Sequence, residues 1–162
     1  MPTDDCNKKE IHRIPIQKPT ASGHGGDCHV VCQQDRVTVV FAVDFDDEAD
    51  RALARLYLQQ FAKAKGKGNG APLCGFRRGG DPPREVASVY DDSGEATGDI
   101  AGFLSFTFLG THINSVEKRE RAVGMMVTFL TYLDYHIKAS KTNVHTRMRN
   151  KRNDLLGMLL PS

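Results

Sequence analysis

Apolar positions in the last third of the chain recur at helical intervals. Between Asn114 and Leu160, Val116, Val123, Met126, Leu130, Leu133 and Ile137 follow one another at spacings of three, four or seven residues. Ala122, Met125, Phe129, Tyr132 and His136 form a second row beside the first. Asn114 with Glu117 three residues on is a helix-start pattern, a short side chain accepting from the first free amides and a carboxylate reaching back. The spacing therefore predicts a long helical segment over 114–160, either one bent helix or two with a break at Ser140 to Asn143. The apolar arc is too wide for one neighbour. One row is expected to cover the chain's own sheet and the other to be offered to a partner, because an exposed row would be an adhesive patch on the order of several hundred Å². Gly124, in mid-helix at a cost of about 1 kcal/mol relative to Ala, suggests a close approach by a neighbour.

Upstream the period changes from helical to alternating. Cys28 to Gln33 and Arg36 to Val43 are two β-rich runs around a short polar turn, which predicts a hairpin. The second run is apolar on both faces, as a covered central strand would be. Asp46, Asp47 and Glu48 open a helix that closes near Lys63 and Lys65, with Leu53, Leu56, Tyr57 and Phe61 as its buried stripe and charges placed as its dipole favours. Pro72 to Arg78 reads as a third strand, stopped by Gly79, Gly80, Pro82 and Pro83. Val86 to Gly98 is ambiguous, with an edge strand and a turn as one reading, whereas Phe103 to Leu109 alternates cleanly. The order β-β-α-β-β-α-α describes an α+β fold, a four-stranded, mainly antiparallel sheet backed by helices with a long C-terminal helix. Residues 1–27 carry little apolar periodicity and are expected to be a flexible N-terminal tail before one domain over 28–162.

Composition narrows the function. At 162 residues and 40% apolar content, one domain with a real core is the default. The charges nearly cancel, 22 bases against 20 acids, so the overall balance does not argue for nucleic acid. Their distribution is uneven. Lys141 to Arg152 holds five bases and no acid, and Asp44 to Asp50 five acids and no base, which is either a solvated face or a docking surface for an acidic partner. Four cysteines without a signal-peptide pattern suit a reducing cytosol, and no apolar run approaches the roughly 20 residues of a membrane span.

Catalytic and cofactor chemistry finds no foothold. Cys28 and Cys32 with His24 and His29 are the sole metal-like group, but Cys6 and Cys74 lack partners at ligand spacing, and alternation on a strand accounts for Cys28 and Cys32 equally well. His136 and His145 fit packed or solvated helical histidines better than catalytic ones. Lys65 to Gly70 is no phosphate loop, since no Lys-Ser/Thr helix start follows it. No nucleophile, base and orienting group occur in an armed context. The expectation is a non-enzymatic protein without cofactor or metal.

Specific words in the sequence go further than its periodicity. Asp35 to Phe41, Gly98-Asp-Ile, Gly102-Phe, Phe129, Tyr132-Leu, Tyr135-His-Ile-Lys138, Ser140-Lys141 and His145-Thr-Arg-Met-Arg149 closely resemble subunit 2 of the actin-related protein 2/3 complex, collinearly from about Cys28 to Leu160. The resemblance implies a non-enzymatic scaffold subunit that pairs with subunit 4 through long C-terminal helices. It also implies a core heterodimer lying along a mother actin filament, contributing to nucleation and branching, in the cytoplasmic actin cytoskeleton. On this chain the implied pairing surface is Met125, Met126, Phe129, Tyr132, Leu133 and His136, continued by Val144, Met148, Leu155 and Leu159. Candidate actin contacts are Arg147, Arg149, Lys151 and Arg152, with Lys65, Lys67, Arg77 and Arg78 as weaker ones; salt bridges of Arg147 and Arg149 inside the heterodimer are the alternative.

Departures from the family pattern qualify this. Family members carry two tandem copies of the α+β unit and only the second is recognisable here. Gly157 stands where a lysine is usual, and the chain stops at Pro161-Ser162. A truncated paralogue that pairs without branching is therefore an alternative. A nucleic-acid-binding module or an unrelated dimerising adaptor using the basic helix is another, although the Lys141 to Arg152 segment has no aromatic for base stacking.

Overall fold

A strand that is apolar on both sides needs cover on both sides, and the run Arg36–Phe45 sits accordingly at the centre of the molecule. The structure, a computed structural model, describes residues 9–16, 24–64, 71–94 and 100–159. Five strands form one antiparallel sheet in the spatial order β1-β2-β3-β5-β4: β1 Glu10–Ile16, β2 His24–Cys32, β3 Arg36–Phe45, β4 Leu73–Arg78 and β5 Gly102–Leu109. The helices are α1 Glu48–Ala64, α2 Ala87–Ser93, α3 Gly110–Ile113 and α4 Val116–Leu159.

Alternation along β3 and β5 divides the core in two. On one face Val39, Phe41, Val43 and Phe45 join Leu104, Phe106 and Phe108, covered by α1 through Ala54 and Leu58 and by α4 through Phe129, Leu133 and Ile137. On the other, Val40 and Ala42 join Val31 and Phe103 beneath Val86 and Tyr90, which α2 and its approach supply. Phe129 is the hub of the larger core. Its ring stands 5.5 Å from Phe41, 5.5 Å from Phe106 and 5.6 Å from Phe61, centroid to centroid, in tilted or edge-on geometries that aromatic pairs favour.

The α+β class, the antiparallel sheet and the long C-terminal helix agree with the sequence reading, but the sheet has five strands, not four. The addition is β1, within the stretch expected as a tail, and β2 begins at His24. β1 is an edge strand paired along its length with β2, where Pro15 is tolerated, and Arg13 holds Asp27 across the pair. The stretch after Val86, ambiguous in sequence with an edge strand and a turn as one reading, is α2, closed by Gly94 at φ 64° with its amide donating to the Tyr90 carbonyl at 3.1 Å.

Helix starts follow capping chemistry. Asp47 Oδ1 accepts from the Ala49 amide at 2.8 Å and the Asp50 amide at 3.1 Å, capping α1. For α4 the cap is Ser115, whose Oγ accepts from the Lys118 amide at 3.2 Å; Asn114 accepts from the Lys118 ammonium instead. α4 is a single helix of 44 residues. The break considered at Ser140 to Asn143 does not occur: the helix continues through these residues, and the Thr142 hydroxyl donates to the Lys138 carbonyl at 3.0 Å without interrupting it.

Candidate functional site

α4 lies in two environments. Up to Lys141 it packs against the domain: Phe129, Leu133 and Ile137 are buried, and Ala122, Met125, Met126 and Leu130 are half-buried along their flanks. α1 is joined to it at three levels. Phe61 meets Phe129, the Tyr57 hydroxyl bonds Ser140 Oγ at 2.7 Å, and Lys141 Nζ reaches Asp50 at 2.8 Å and Asp47 at 3.3 Å. Lys141 is held above the ordinary lysine range by Asp50 first and Asp47 next. Asp47 is held below the carboxylate range by the Asp50 amide, then by Lys141, then by the Ala49 amide. The base from one charged run thus closes on the acids of the other.

Beyond Lys141 every described residue of α4 is exposed. That is a free rod over 142–159, about 27 Å long at 1.5 Å per residue. Its apolar side chains are not scattered: Val144, Met148, Leu155 and Leu159 succeed one another at four, seven and four residues and so share one side, with Met148 66% and Leu155 58% exposed. Among the described residues Arg147, Arg149 and Lys151 have no ion-pair partner.

The pairing candidates divide between these environments. Phe129 and Leu133 lie in the chain's own core and can only support a partner surface from beneath; Met125, Met126 and His136 are half-buried. Tyr132, Val144, Met148, Leu155 and Leu159 are exposed. His136 is ringed by tyrosines, 4.2 Å from Tyr132, 5.4 Å from Tyr135 and 5.9 Å from Tyr57. The buried stripe therefore runs between the two sequence rows, and each row keeps an exposed flank. One flank is Tyr132 with Tyr135. The other is Val116, Val123 and Val127, the last 73% exposed, beside an open apolar groove of about 510 Å³. Val30, Val37 and Val39 of the sheet form the groove's floor, and Met126, Val127 and Leu130 its wall.

Val127, Tyr135, Leu156 and Met158 went unnoticed as exposed apolar positions, although Val127 lies four residues after Val123 and could have been found by continuing that row. Gly124 has open space where a Cβ would stand, so the close approach suggested by its presence is not made by this chain's described residues. Of the weaker basic candidates, Arg77 is engaged by Asp81 at 3.0 Å, Arg78 is exposed, and Lys65 and Lys67 lie outside the described residues.

Of the two β2 cysteines, Cys28 lies in the core and Cys32 is half-buried. Burial, with Asp27 adding to it, pushes the Cys28 thiol up to about 11, and His29 points to the opposite face beside Tyr90 at 5.4 Å. Among the described residues no three His, Cys, Asp or Glu side chains are grouped to hold a metal, and no helix is long and apolar enough to cross a membrane. What the arrangement offers is surface: an apolar rod end, an apolar groove and unpaired bases.

Comparison with known proteins bears on that surface. Residues 24–160 match the family model described as Arp2/3 complex, 34 kD subunit p34-Arc. The chain is 35% identical over 131 residues to actin-related protein 2/3 complex subunit 2 of Schizosaccharomyces pombe, covering 78% of this chain and 39% of that protein. It is 34% identical over 128 residues to the subunit 2 of Dictyostelium discoideum, covering 78% and 41%. The chain thus spans about two fifths of the length of these curated relatives. With a match running from the first residues of β2 to the end of α4, the chain belongs to the p34-Arc family of Arp2/3 complex subunits.

Proposed function

We propose that this chain is a non-enzymatic scaffold subunit of an Arp2/3-type complex, pairing through α4 with a subunit-4 chain in the cytoplasmic actin cytoskeleton. The free rod of α4 carries the reading: an apolar stripe on an isolated helix end has no folding role in this chain and becomes buried on pairing. Val144, Met148, Leu155 and Leu159 are its centre, and Met125, Met126, Tyr132 and His136 extend it along the packed half, backed by Phe129 and Leu133. The pair then contributes to nucleation and branching by lying against an actin filament, for which Arg147, Arg149, Lys151, Arg152 and Arg78 are the described bases best placed.

Co-expression with the subunit-4 chain of the same organism, followed by capture on a tag, tests this. Met148→Asp with Leu155→Asp buries two unpaired charges at the contact and is expected to abolish co-purification while the unfolding midpoint of the chain stays put. Association that survives the double substitution removes the rod from the interface, and failure of the unsubstituted chain to co-purify with the co-expressed subunit-4 chain removes the pairing.

A further inference from the structure

The larger face of the sheet is only partly roofed. α1 packs beside β3 and β4, and the buried stripe of α4 meets Phe41 and Phe106, so the β1 and β2 side stays open as the groove of about 510 Å³. Ile14 of β1, half exposed, forms its far rim and lies outside the stretch matched to the family, residues 24–160. Along α4 the wall runs from Arg119 to Leu130, about 17 Å at 1.5 Å per residue.

Among the described residues that line this groove, Arg119 is the only charged one. Its helical neighbours carry no charge: Val116 and Ala122 are three residues away, Ser115 and Val123 four. No acid is therefore placed to hold it along the helix, unlike Arg121, whose guanidinium lies 2.8 Å from Glu117. An arginine set in an apolar row, at the end of an apolar trough, presents its fork of donors to whatever enters there.

The lining also restricts what can enter. At this volume the groove takes a small ligand, but the floor of Val30, Val37 and Val39 and the wall of Met126, Val127 and Leu130 offer no hydrogen-bonding side chain. Amides or hydroxyls along the body of a ligand would be stripped of water without replacement, which excludes an extended peptide, a sugar or a nucleoside. A run of methylenes gains instead, because each one leaves water for apolar contact. The lone cation then asks for a single anionic group, at one end of that run.

We infer that the groove is a binding site for a free long-chain fatty acid, its carboxylate on the Arg119 guanidinium and its acyl chain lying along α4 toward Leu130. The site belongs to the packed half of α4 and so goes beyond the pairing reading, although Met126 is common to both.

Laurate, titrated below its micelle concentration into the full chain and followed by calorimetry, tests this beside uncharged dodecanol and short hexanoate. Laurate is expected to bind at least about tenfold more tightly than either. Arg119→Gln should erase its advantage over the alcohol, and Ile14→Asp should weaken both long-chain ligands by about tenfold, each at an unchanged melting midpoint. Equal binding of acid and alcohol, or affinities that neither substitution moves, would overturn the inference. So would tighter association with phosphatidylserine vesicles than with laurate, which gives the surface to a membrane, or self-association relieved by Val127→Asp, which gives it to a second copy. In the co-purified pair with the subunit-4 chain, laurate binding should persist. Its loss there gives the groove to the partner chain and fells this inference alone, whereas failure of the pair to form leaves the laurate result standing and fells only the pairing reading.

Discussion

The two halves of α4 have the same backbone and the same kind of apolar stripe, yet one is the lid of a core and the other is exposed at every described residue. The difference lies in what fills the stripe. In the first half large side chains converge without interruption, Phe129, Leu133 and Ile137 at successive turns, and meet three phenylalanine rings. In the second half the stripe is thinner and broken by Lys151, the kind of position a core rejects and an interface between helices accepts. Periodicity reports that a helix has an inner side. The density and charge of that side report whether the cover comes from the same chain.

The largest expected effect separates the halves directly. Phe129→Ala opens a cavity among Phe41, Phe61 and Phe106 and should cost about 3–5 kcal/mol in urea unfolding. Leu155→Ala, on an equally apolar residue of the same helix, should stay within about 0.5 kcal/mol in the unpartnered chain. A comparable cost at both sites would mean that the rod folds back onto the body. Smaller, but on the same boundary, Tyr57→Phe removes the hydroxyl that meets Ser140 at 2.7 Å and should cost about 1 kcal/mol.

These residues also mark how far the sequence could be read. The central strands were legible because β3 and β5 state their period in their own side chains. β1 was not: Ile11 belongs to one face and Ile14 to the other, and its place in the sheet comes from pairing with β2 rather than from its own pattern. α2 was obscured because one buried residue, Tyr90, is too little for a helical period to show in seven residues. On α4 the apolar spacing of the rod was legible, but Phe129 and Leu133, which are buried, could not be told from exposed neighbours such as Tyr132. Burial there depends on where α1 lies, and the period of α4 carries no trace of it.

Gly124→Ala sharpens the comparison from the outward side of the packed half. A Cβ at Gly124 meets open space, so in the chain alone the substitution should stabilise α4 by about 0.5–1 kcal/mol through helix propensity. Gly157→Ala, equally open on the rod, should do the same to a lesser extent because a helix end frays. If Gly124→Ala raises the midpoint of the chain while weakening co-purification with a partner, the packed half also carries part of the interface. If both measurements improve together, the interface is confined to the rod.

The smallest effect is at the joint between the halves. Lys141→Met removes the ammonium that Asp47 and Asp50 share, and the carboxyl of Asp47 reports it. With its folded pKa below the ordinary carboxylate value, Asp47 contributes stability above the unfolded pKa and loses that contribution as pH falls through the lowered folded one. In the variant its titration midpoint by carbonyl NMR should rise but stay below the ordinary value, because the Asp50 and Ala49 amides still donate to it. Amide exchange along 142–159 should be unchanged, since the rod's ladder does not depend on the salt bridge. A midpoint that does not move would mean that Lys141 stays in solvent, and the division between packed and free helix would then fall a turn earlier, at Ser140 and Ile137.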